Sequence, residues 1–294
     1  MRRRAALVLL AALALVACGK TRAPFVGGAG TGEKAEKGTD AGTELYIPPL
    51  TPPAEDAGLC GRVVVPIVVE RPNFYFVLDA SGSMKDPMPD NQATSLGIVP
   101  SRYTAARLAI RSLIRKVGHR ISYGAALFPG EESAGCTPGT EVFPTQPGDP
   151  VAYVRSKRDG PVETHLFNIL TARTPDGLTP TAASLGAIKA PLLALSGKTY
   201  AFLLTDGAPN CNADRACTAA ECTVNIEGAC PGGDAHNCCD PTYKLYDYRW
   251  CLDADPTVQA VTDLASAGIQ TYVIGMPGTD DYANVLDRLA EAGQ

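Results

Sequence analysis

The chain has 294 residues, of which 45% are hydrophobic, so it is long enough and apolar enough to build a sizeable buried core. Its 26 Lys and Arg residues against 31 Asp and Glu residues leave a net charge of -5, and no basic block follows residues 2–4. This pattern excludes the electrostatic footprint of a nucleic-acid-binding protein. The chain also has ten cysteines, and the compartment in which it folds decides whether they bind metal or form disulfides.

The N-terminus predicts export. Arginines at residues 2–4 precede an apolar run at residues 5–17, which is shorter than the roughly 20 residues that a membrane-spanning helix needs. Residues 15–18 resemble the bacterial lipobox, which implies cleavage after residue 17 and a lipid on Cys18; the alternative is an ordinary signal peptide with an incidental cysteine. Residues 18–59 are rich in Gly, Ala, Thr, Lys, Glu and Pro and predict a flexible tether, followed by a folded domain at residues 60–294.

The domain alternates strand-like with helix-like segments. Residues 73–78 form a short aromatic and branched run, which predicts a buried strand, and residues 101–117 predict an amphipathic helix. The apolar stripe expected on that helix is Ala105, Leu108, Ala109, Leu113 and Ile114, with Arg107, Arg111 and Arg115 on the other face. Further strands are predicted at residues 121–128, 199–205 and 270–274, and further helices at 180–194 with a break at Pro191, at 256–267 after Asp255 as N-cap, and at 282–292.

Strands separated by helices predict an α/β fold with a doubly wound, mostly parallel sheet, in which ligands bind at the carboxyl ends of the strands. A carboxylate and two hydroxyls follow the first strand, a second carboxylate follows the strand at 199–205, and a threonine lies in the turn before the intervening helix. These residues are Asp79, Ser81, Ser83, Thr179 and Asp206. Oxygen ligands of low total charge suit a hard divalent cation, so the set predicts a metal site, with Thr181 as the alternative to Thr179.

The three segments resemble the von Willebrand factor A (VWA) domain and the integrin inserted domain. The metal-ion-dependent adhesion site of that family combines an Asp-x-Ser-x-Ser loop, a threonine in a Gly-x-Thr-Pro turn and an aspartate in a Thr-Asp-Gly turn. The resemblance implies a bound Mg²⁺, with Mn²⁺ or Ca²⁺ as alternatives, held by the hydroxyls and by the two aspartates directly or through water. It also implies that a Glu or Asp of a partner fills the open coordination position.

The resemblance covers residues 73–293 and departs from the family at its end. The family has a further parallel strand and a last helix, whereas this sequence stops at Gln294. We therefore expect an open sheet edge at residues 270–274, as in an incomplete fold or a truncated reading frame. The last helix couples the metal site to shape in integrins, and we do not expect that coupling here.

Seven of the cysteines lie in an insertion at residues 208–253, and Cys60 and Cys136 are the other two in the domain. No Cys-x-x-Cys pair of a zinc site occurs, and an exported chain meets oxidising surroundings, so we predict disulfides. If the family's strand order of 3-2-1-4-5 holds, Cys136 and the insertion leave the sheet on the same face. We then predict a disulfide from Cys136 to an insertion cysteine, with Cys60 unpaired. The insertion is poor in aliphatic residues, and we expect it to lack its own core and to form part of the recognition rim.

The sequence thus predicts a lipid-anchored protein of the cell envelope, on the outer membrane if the envelope has one. Its VWA-type domain would bind a protein or matrix partner through the cation, without catalysis. The alternatives are a metal-assisted hydrolase and a structural envelope protein with a vestigial site. The hydrolase is disfavoured because Ser81 lies in no Gly-x-Ser-x-Gly elbow and no evident general base is close to the metal motifs. We expect Asp79, in a surface-placed loop, to be essential for metal binding but not for folding.

Overall fold

The computed structural model describes residues 70–89, 97–131, 135–214, 226 and 238–294, which all belong to one compact unit, Pro66–Gln294. The predicted signal peptide, Cys18, the tether at residues 18–59 and Cys60 lie outside the described residues. In the described part of the chain, no helix is both long and apolar enough to span a bilayer.

Five strands form a single sheet. They are β1 (Asn73–Asp79), β2 (Ser122–Phe128), β3 (Thr140–Pro147), β4 (Thr199–Thr205) and β5 (Gln270–Gly275). The strand order is β3-β2-β1-β4-β5, with β3 antiparallel to β2 and the other neighbouring pairs parallel. The predicted mostly parallel sheet is therefore confirmed, in the strand order that the VWA resemblance implied.

Helices cover the sheet on both faces. They are α1 (Arg102–Val117), α2 (Val151–Ser156), α3 (Pro161–Ala172), α4 (Thr181–Leu193), α5 (Ala254–Ser266) and α6 (Ala283–Ala292), with short 3₁₀ helices at Gly82–Lys85, Gly118–Arg120, Tyr248–Trp250 and Asp280–Tyr282. Phe76 and Leu78 of β1 pack with α1 and α3, while Tyr75 and Val77 pack with α4, α5 and α6 on the other side. Both faces of β1 are thus buried, which explains its continuous apolar sequence.

The predicted buried stripe of α1 is right for Ile114, Ala105 and Leu113, which lie in or against the core, and wrong for the rest. The buried residues of this helix are Tyr103, Ala106, Ile110 and Ile114, whereas Leu108 and Ala109 are exposed. The buried face of α1 differs from the predicted one because Arg111 and Arg115 also point toward the protein, where they contact α3. The Nε atoms of Arg111 and Arg115 lie 2.6 Å and 2.9 Å from Oε1 of the buried Glu163 on α3.

Two predicted helix details are also wrong. The helix α4 continues through Pro191, which lies in its last turn, where a proline removes one hydrogen bond without ending the helix. The helix α5 begins at Ala254, so its N-cap is Asp253 rather than Asp255. Asp253 is held in place because its N–H donates to the Pro209 carbonyl, at 2.7 Å.

The sequence signals missed β3, α2 and α3. The strand β3 contains Pro144 and Pro147, and proline is tolerated in a strand at the edge of a sheet, where one side of the backbone is not paired. At the opposite edge lies β5, and among the described residues β4 is its sole strand partner. The expected open edge is present there, with Tyr272 and Ile274 exposed.

Candidate metal centre

The register of β1 on β4 brings the two predicted carboxylates together. Leu78 is paired with Leu204, so Asp79 lies beside Thr205 and Asp206 follows at the same end of the sheet. Asp79 is fully buried and Asp206 nearly so. The expectation that Asp79 lies in a surface-placed loop is therefore wrong, since it is the last residue of a central strand.

Hydrogen bonds from Ser81 and Thr205 hold the Asp79 carboxylate. The Ser81 N–H donates to its Oδ1 at 2.8 Å, and the Thr205 hydroxyl donates to its Oδ2 at 2.6 Å. Burial, followed by the negative charge of Asp206, raises the pKa of Asp79 to about 7, although these hydrogen bonds act in the opposite direction. Without a cation, Asp79 is therefore only partly ionised at neutral pH.

The hydroxyls of the Asp-x-Ser-x-Ser loop connect to the second carboxylate. The Ser81 and Ser83 Oγ atoms are 3.2 Å apart, and the Ser83 hydroxyl donates to Asp206 Oδ1 at 2.9 Å. Neighbouring oxygens around an octahedral Mg²⁺ with bonds of 2.0–2.1 Å lie about 3 Å apart. The two spacings therefore fit two edges of a magnesium coordination shell that meet at the Ser83 oxygen.

The predicted Thr179 lies in a loop that is bonded to this site. Gly82 N–H donates to the Gly177 carbonyl at 2.8 Å, which ties the loop to the Asp-x-Ser-x-Ser segment. Thr179 N–H donates to Asn210 Oδ1 at 2.8 Å, and Asn210 N–H donates to the Thr179 carbonyl at 2.9 Å. Among the hydrogen bonds of the described residues, none joins the Thr179 hydroxyl to the other four predicted residues. The alternative, Thr181, directs its hydroxyl to the Thr179 carbonyl, at 3.4 Å.

Sequence reasoning missed three residues of the site. Thr205 and Asn210 are the buried partners of Asp79 and Thr179 described above. The third, Arg102, donates from Nη1 to Asp206 Oδ2 at 2.8 Å. One signal could have indicated Arg102, because it is the first residue of α1, where the helix dipole disfavours a positive charge.

Two further acidic residues, Asp86 and Asp90, follow the Asp-x-Ser-x-Ser loop in the sequence and differ in their placement. Asp86 is exposed, and its Oδ2 lies 3.7 Å from Arg102 Nη1. Asp90 lies outside the described residues. No cluster of three or more His, Cys, Asp and Glu side chains that could hold a metal occurs in the described ranges. The candidate centre therefore depends on two carboxylates assisted by hydroxyls.

The predicted link between Cys136 and the insertion is confirmed. Cys136 forms a disulfide with Cys211, with their Cα atoms 5.4 Å apart. Cys238, Cys239 and Cys251 are disulfide-bonded as well. The other cysteines of the insertion, and its histidine His236, lie outside the described residues.

Asn210, which holds Thr179, belongs to the start of the insertion, and a later part of the insertion contacts it. Asn210 Nδ2 donates to the Arg249 carbonyl at 3.0 Å, which supports the expected position of the insertion beside the site. Cys239 and Cys251 are buried in a small cluster with Tyr246 and Trp250. The insertion was expected to lack an aliphatic core, and its described part instead packs aromatic side chains around disulfide-bonded cysteines.

No family model and no curated protein matches the sequence. Among solved structures, the chain is similar to the PilB minor pilin from Streptococcus sanguinis, with 22% identity and a TM-score of 0.46 over 76% of this chain and 55% of that chain. It is also similar to the vWF domain of the type V pili tip protein Mfa5 from Porphyromonas gingivalis, with 12% identity and a TM-score of 0.46 over 77% of this chain and 87% of that one.

A third similar structure is the pilus adhesin SpaC from Lactobacillus rhamnosus GG, with 18% identity and a TM-score of 0.47 over 77% of this chain and 27% of that chain. The chain thus spans about half the length of PilB and about a quarter of the length of SpaC. At these identities and TM-scores, no function is transferred from these proteins to this chain.

Proposed function

We propose that this chain is an exported VWA-type protein that binds a protein or matrix partner through Mg²⁺ held at the carboxyl ends of β1 and β4. The metal-binding residues would be Asp79, Ser81, Ser83, Thr179 and Asp206. The main support is that oxygens of three of them lie together, with Ser83 Oγ 3.2 Å from Ser81 Oγ and 2.9 Å from Asp206 Oδ1, spacings that adjacent ligands of an octahedral Mg²⁺ also have. The strand order and the three loop motifs support the same class of protein.

The chain's own residues divide the work of holding the cation. The Ser81 and Ser83 hydroxyls and Asp206 Oδ1 offer direct oxygen ligands. Asp79 already accepts hydrogen bonds on both of its oxygens, from Ser81 N–H and the Thr205 hydroxyl, so it suits a contact through water. A cation bound there would supply an electrophilic position for a carboxylate oxygen of the partner.

Binding is favoured over hydrolysis by the positions of the described histidines. His119 precedes β2, at the end of the sheet opposite to the two carboxylates. The His165 ring packs edge-on against Phe143, with ring centroids 5.4 Å apart. Neither histidine lies where it could serve as a general base beside the proposed cation.

Two experiments test the proposal. Calorimetric titration should show one Mg²⁺ bound per chain, and Asp206→Asn should abolish this binding. Asp176→Asn is the matched control, because that carboxylate is 82% exposed and pairs with Lys85 outside the site. Capture of a partner from envelope extract should require Mg²⁺ and be lost with chelator or with Asp206→Asn. Metal-dependent turnover of an ester or phosphoester panel would instead support the hydrolase.

We also propose that Cys18 carries the lipid that anchors the protein in the cell envelope. Cys18→Ser should move the protein from the detergent phase to the aqueous phase, or leave it uncleaved, because a serine hydroxyl cannot form the thioether bond to the lipid. Phase partitioning followed by immunoblotting measures this. Cys60→Ser is the control and should partition like the wild type. If the Cys18→Ser protein stays in the detergent phase as a processed form, the lipid assignment is wrong.

A further inference from the structure

The candidate metal centre already contains a positive charge. The Arg102 guanidinium lies on Asp206, with Nη1 donating to Oδ2 at 2.8 Å. The Asp206 side chain is fully buried and that of Arg102 is 16% exposed, so the pair is shielded from solvent. Arg102 thus neutralises one of the two carboxylates on which a divalent cation would depend.

With this contact, both carboxylate oxygens of Asp206 accept a hydrogen bond. Its Oδ1 accepts the hydrogen bond from Ser83, and its Oδ2 accepts the one from Arg102. A divalent cation among these oxygens would have to share the carboxylate with the guanidinium. Since both are positively charged and the site is buried, they repel each other strongly. Binding of the guanidinium to Asp206 should therefore lower the affinity of Asp206 for the divalent cation, and binding of the cation should weaken the contact with the guanidinium.

The guanidinium is not fully satisfied in this position. Arg102 Nε is buried and has no hydrogen-bond partner within the described residues. Asp86 offers an alternative partner, because its Oδ2 lies 3.7 Å from Arg102 Nη1 and its side chain is 61% exposed. The backbone does not need to move, since Arg102 N–H is bonded to the Asp86 carbonyl at 2.9 Å.

We propose that Arg102 is a built-in competitor of the divalent cation, which occupies Asp206 in the metal-free protein and shifts toward Asp86 when the cation binds. This inference rests on the proposed function of the site. Arg102 would then set the concentration of Mg²⁺ at which the protein becomes competent to bind its partner. The opposite role, a permanent support that orients Asp206 for the metal, predicts the opposite effect of removing the arginine.

The test compares Mg²⁺ binding to wild type and to Arg102→Gln by calorimetry. We expect about tenfold tighter binding by the variant, a typical size for coupling between two ligands of one site. Without metal, the melting temperature of Arg102→Gln should fall by roughly 5–10 °C, because a buried carboxylate loses its partner. Mg²⁺ should then raise the melting temperature of the variant more than that of the wild type.

Two further variants complete the design. Arg107→Gln removes the same charge from the same helix, where Arg107 donates to Thr171, and should bind Mg²⁺ like the wild type. Gly278→Ala changes no charge, yet a Cβ there would lie 2.6 Å from Arg102 Nη2, so the flexible end of the guanidinium must shift; the φ of +95° at Gly278 means that the alanine also strains its own backbone. It should also tighten Mg²⁺ binding, and it keeps the test decisive if Arg102→Gln does not fold.

The outcomes separate this inference from the proposed function. Unchanged or weaker Mg²⁺ binding by both Arg102→Gln and Gly278→Ala would overturn the competitor role and leave the metal site standing. Binding by Arg102→Gln where the wild type shows none would support the competitor role. Failure of every folded variant and of the wild type to bind Mg²⁺, Mn²⁺ or Ca²⁺ would overturn both.

Discussion

Replacing Asp79 with Asn should weaken Mg²⁺ binding by at least about 100-fold, the upper range for losing a group that supports a metal. The variant removes one of two buried carboxylates but keeps the size of the side chain and an oxygen that can accept from Ser81 N–H. Asp79→Ala is a poorer test. It leaves Ser81 N–H and the buried Thr205 hydroxyl without an acceptor, at a cost of about 1–3 kcal/mol each.

The same variant should change how stability depends on pH. The pKa of Asp79 in the folded, metal-free protein is raised from 3.8 to about 7. The stabilisation that protonated Asp79 gives the folded protein is fully present below the unfolded pKa, and it is lost as the pH rises from that value through about 7. Metal-free Asp79→Asn should therefore be more stable than wild type at pH 8, by on the order of 4 kcal/mol, with the difference vanishing near pH 4.

Urea unfolding with chelator at pH 4, 6 and 8 measures this difference, and calorimetry measures the affinity. Mg²⁺ should also stabilise the wild type more at pH 8 than at pH 5.5, because Asp79 must lose its proton to take part in metal binding. Asp176→Asn is the control and should bind Mg²⁺ like the wild type. If Asp79→Asn bound Mg²⁺ as tightly as the wild type, Asp79 would not be part of the metal site.

The second large effect is expected from the Cys136–Cys211 disulfide. The double variant Cys136→Ala/Cys211→Ala opens a loop defined by a sequence separation of 75 residues. In the chain-entropy account, removing a cross-link that closes a loop of this length lowers the stability of the protein by about 4 kcal/mol, because the unfolded chain gains freedom. This loss corresponds to a fall of roughly 10 °C in melting temperature. Urea unfolding at equilibrium measures the loss.

The disulfide should also influence the metal site. Gly135, next to Cys136, accepts a hydrogen bond from Leu178 N–H at 2.9 Å, and Leu178 precedes Thr179. Opening the disulfide frees this support, so we expect Mg²⁺ affinity to fall by roughly tenfold, as for other supports of metal-binding residues. Cys60→Ser, at a position we predict to be unpaired, is the control and should match the wild type. Peptide mapping that finds Cys136 joined to another cysteine would contradict the prediction.

Local signals in the sequence were sufficient for the central strands. The predicted strand at residues 199–205 coincides with β4, and the strand predicted at residues 73–78 ends one residue before β1 does. Both are continuous apolar runs that end at turn-forming residues, because parallel strands in the middle of a sheet are buried on both faces. The edge strand β3 carries prolines and one buried apolar residue, Phe143, so it lacks that signal.

The candidate ligands could be named from the sequence because each follows a strand or precedes a helix, and both are local events. The surroundings of these ligands in the folded protein could not be predicted from the sequence. The burial of Asp79 follows from its place in β1 between two parallel neighbours, and the bond from Asn210 to Thr179 spans 31 positions. The contact of Arg102 with Asp206 spans 104 positions and exists because α1 docks with its first turn beside the end of β4. Strand register and helix docking are collective results of core packing, so only the tertiary structure decided which charges meet at the site.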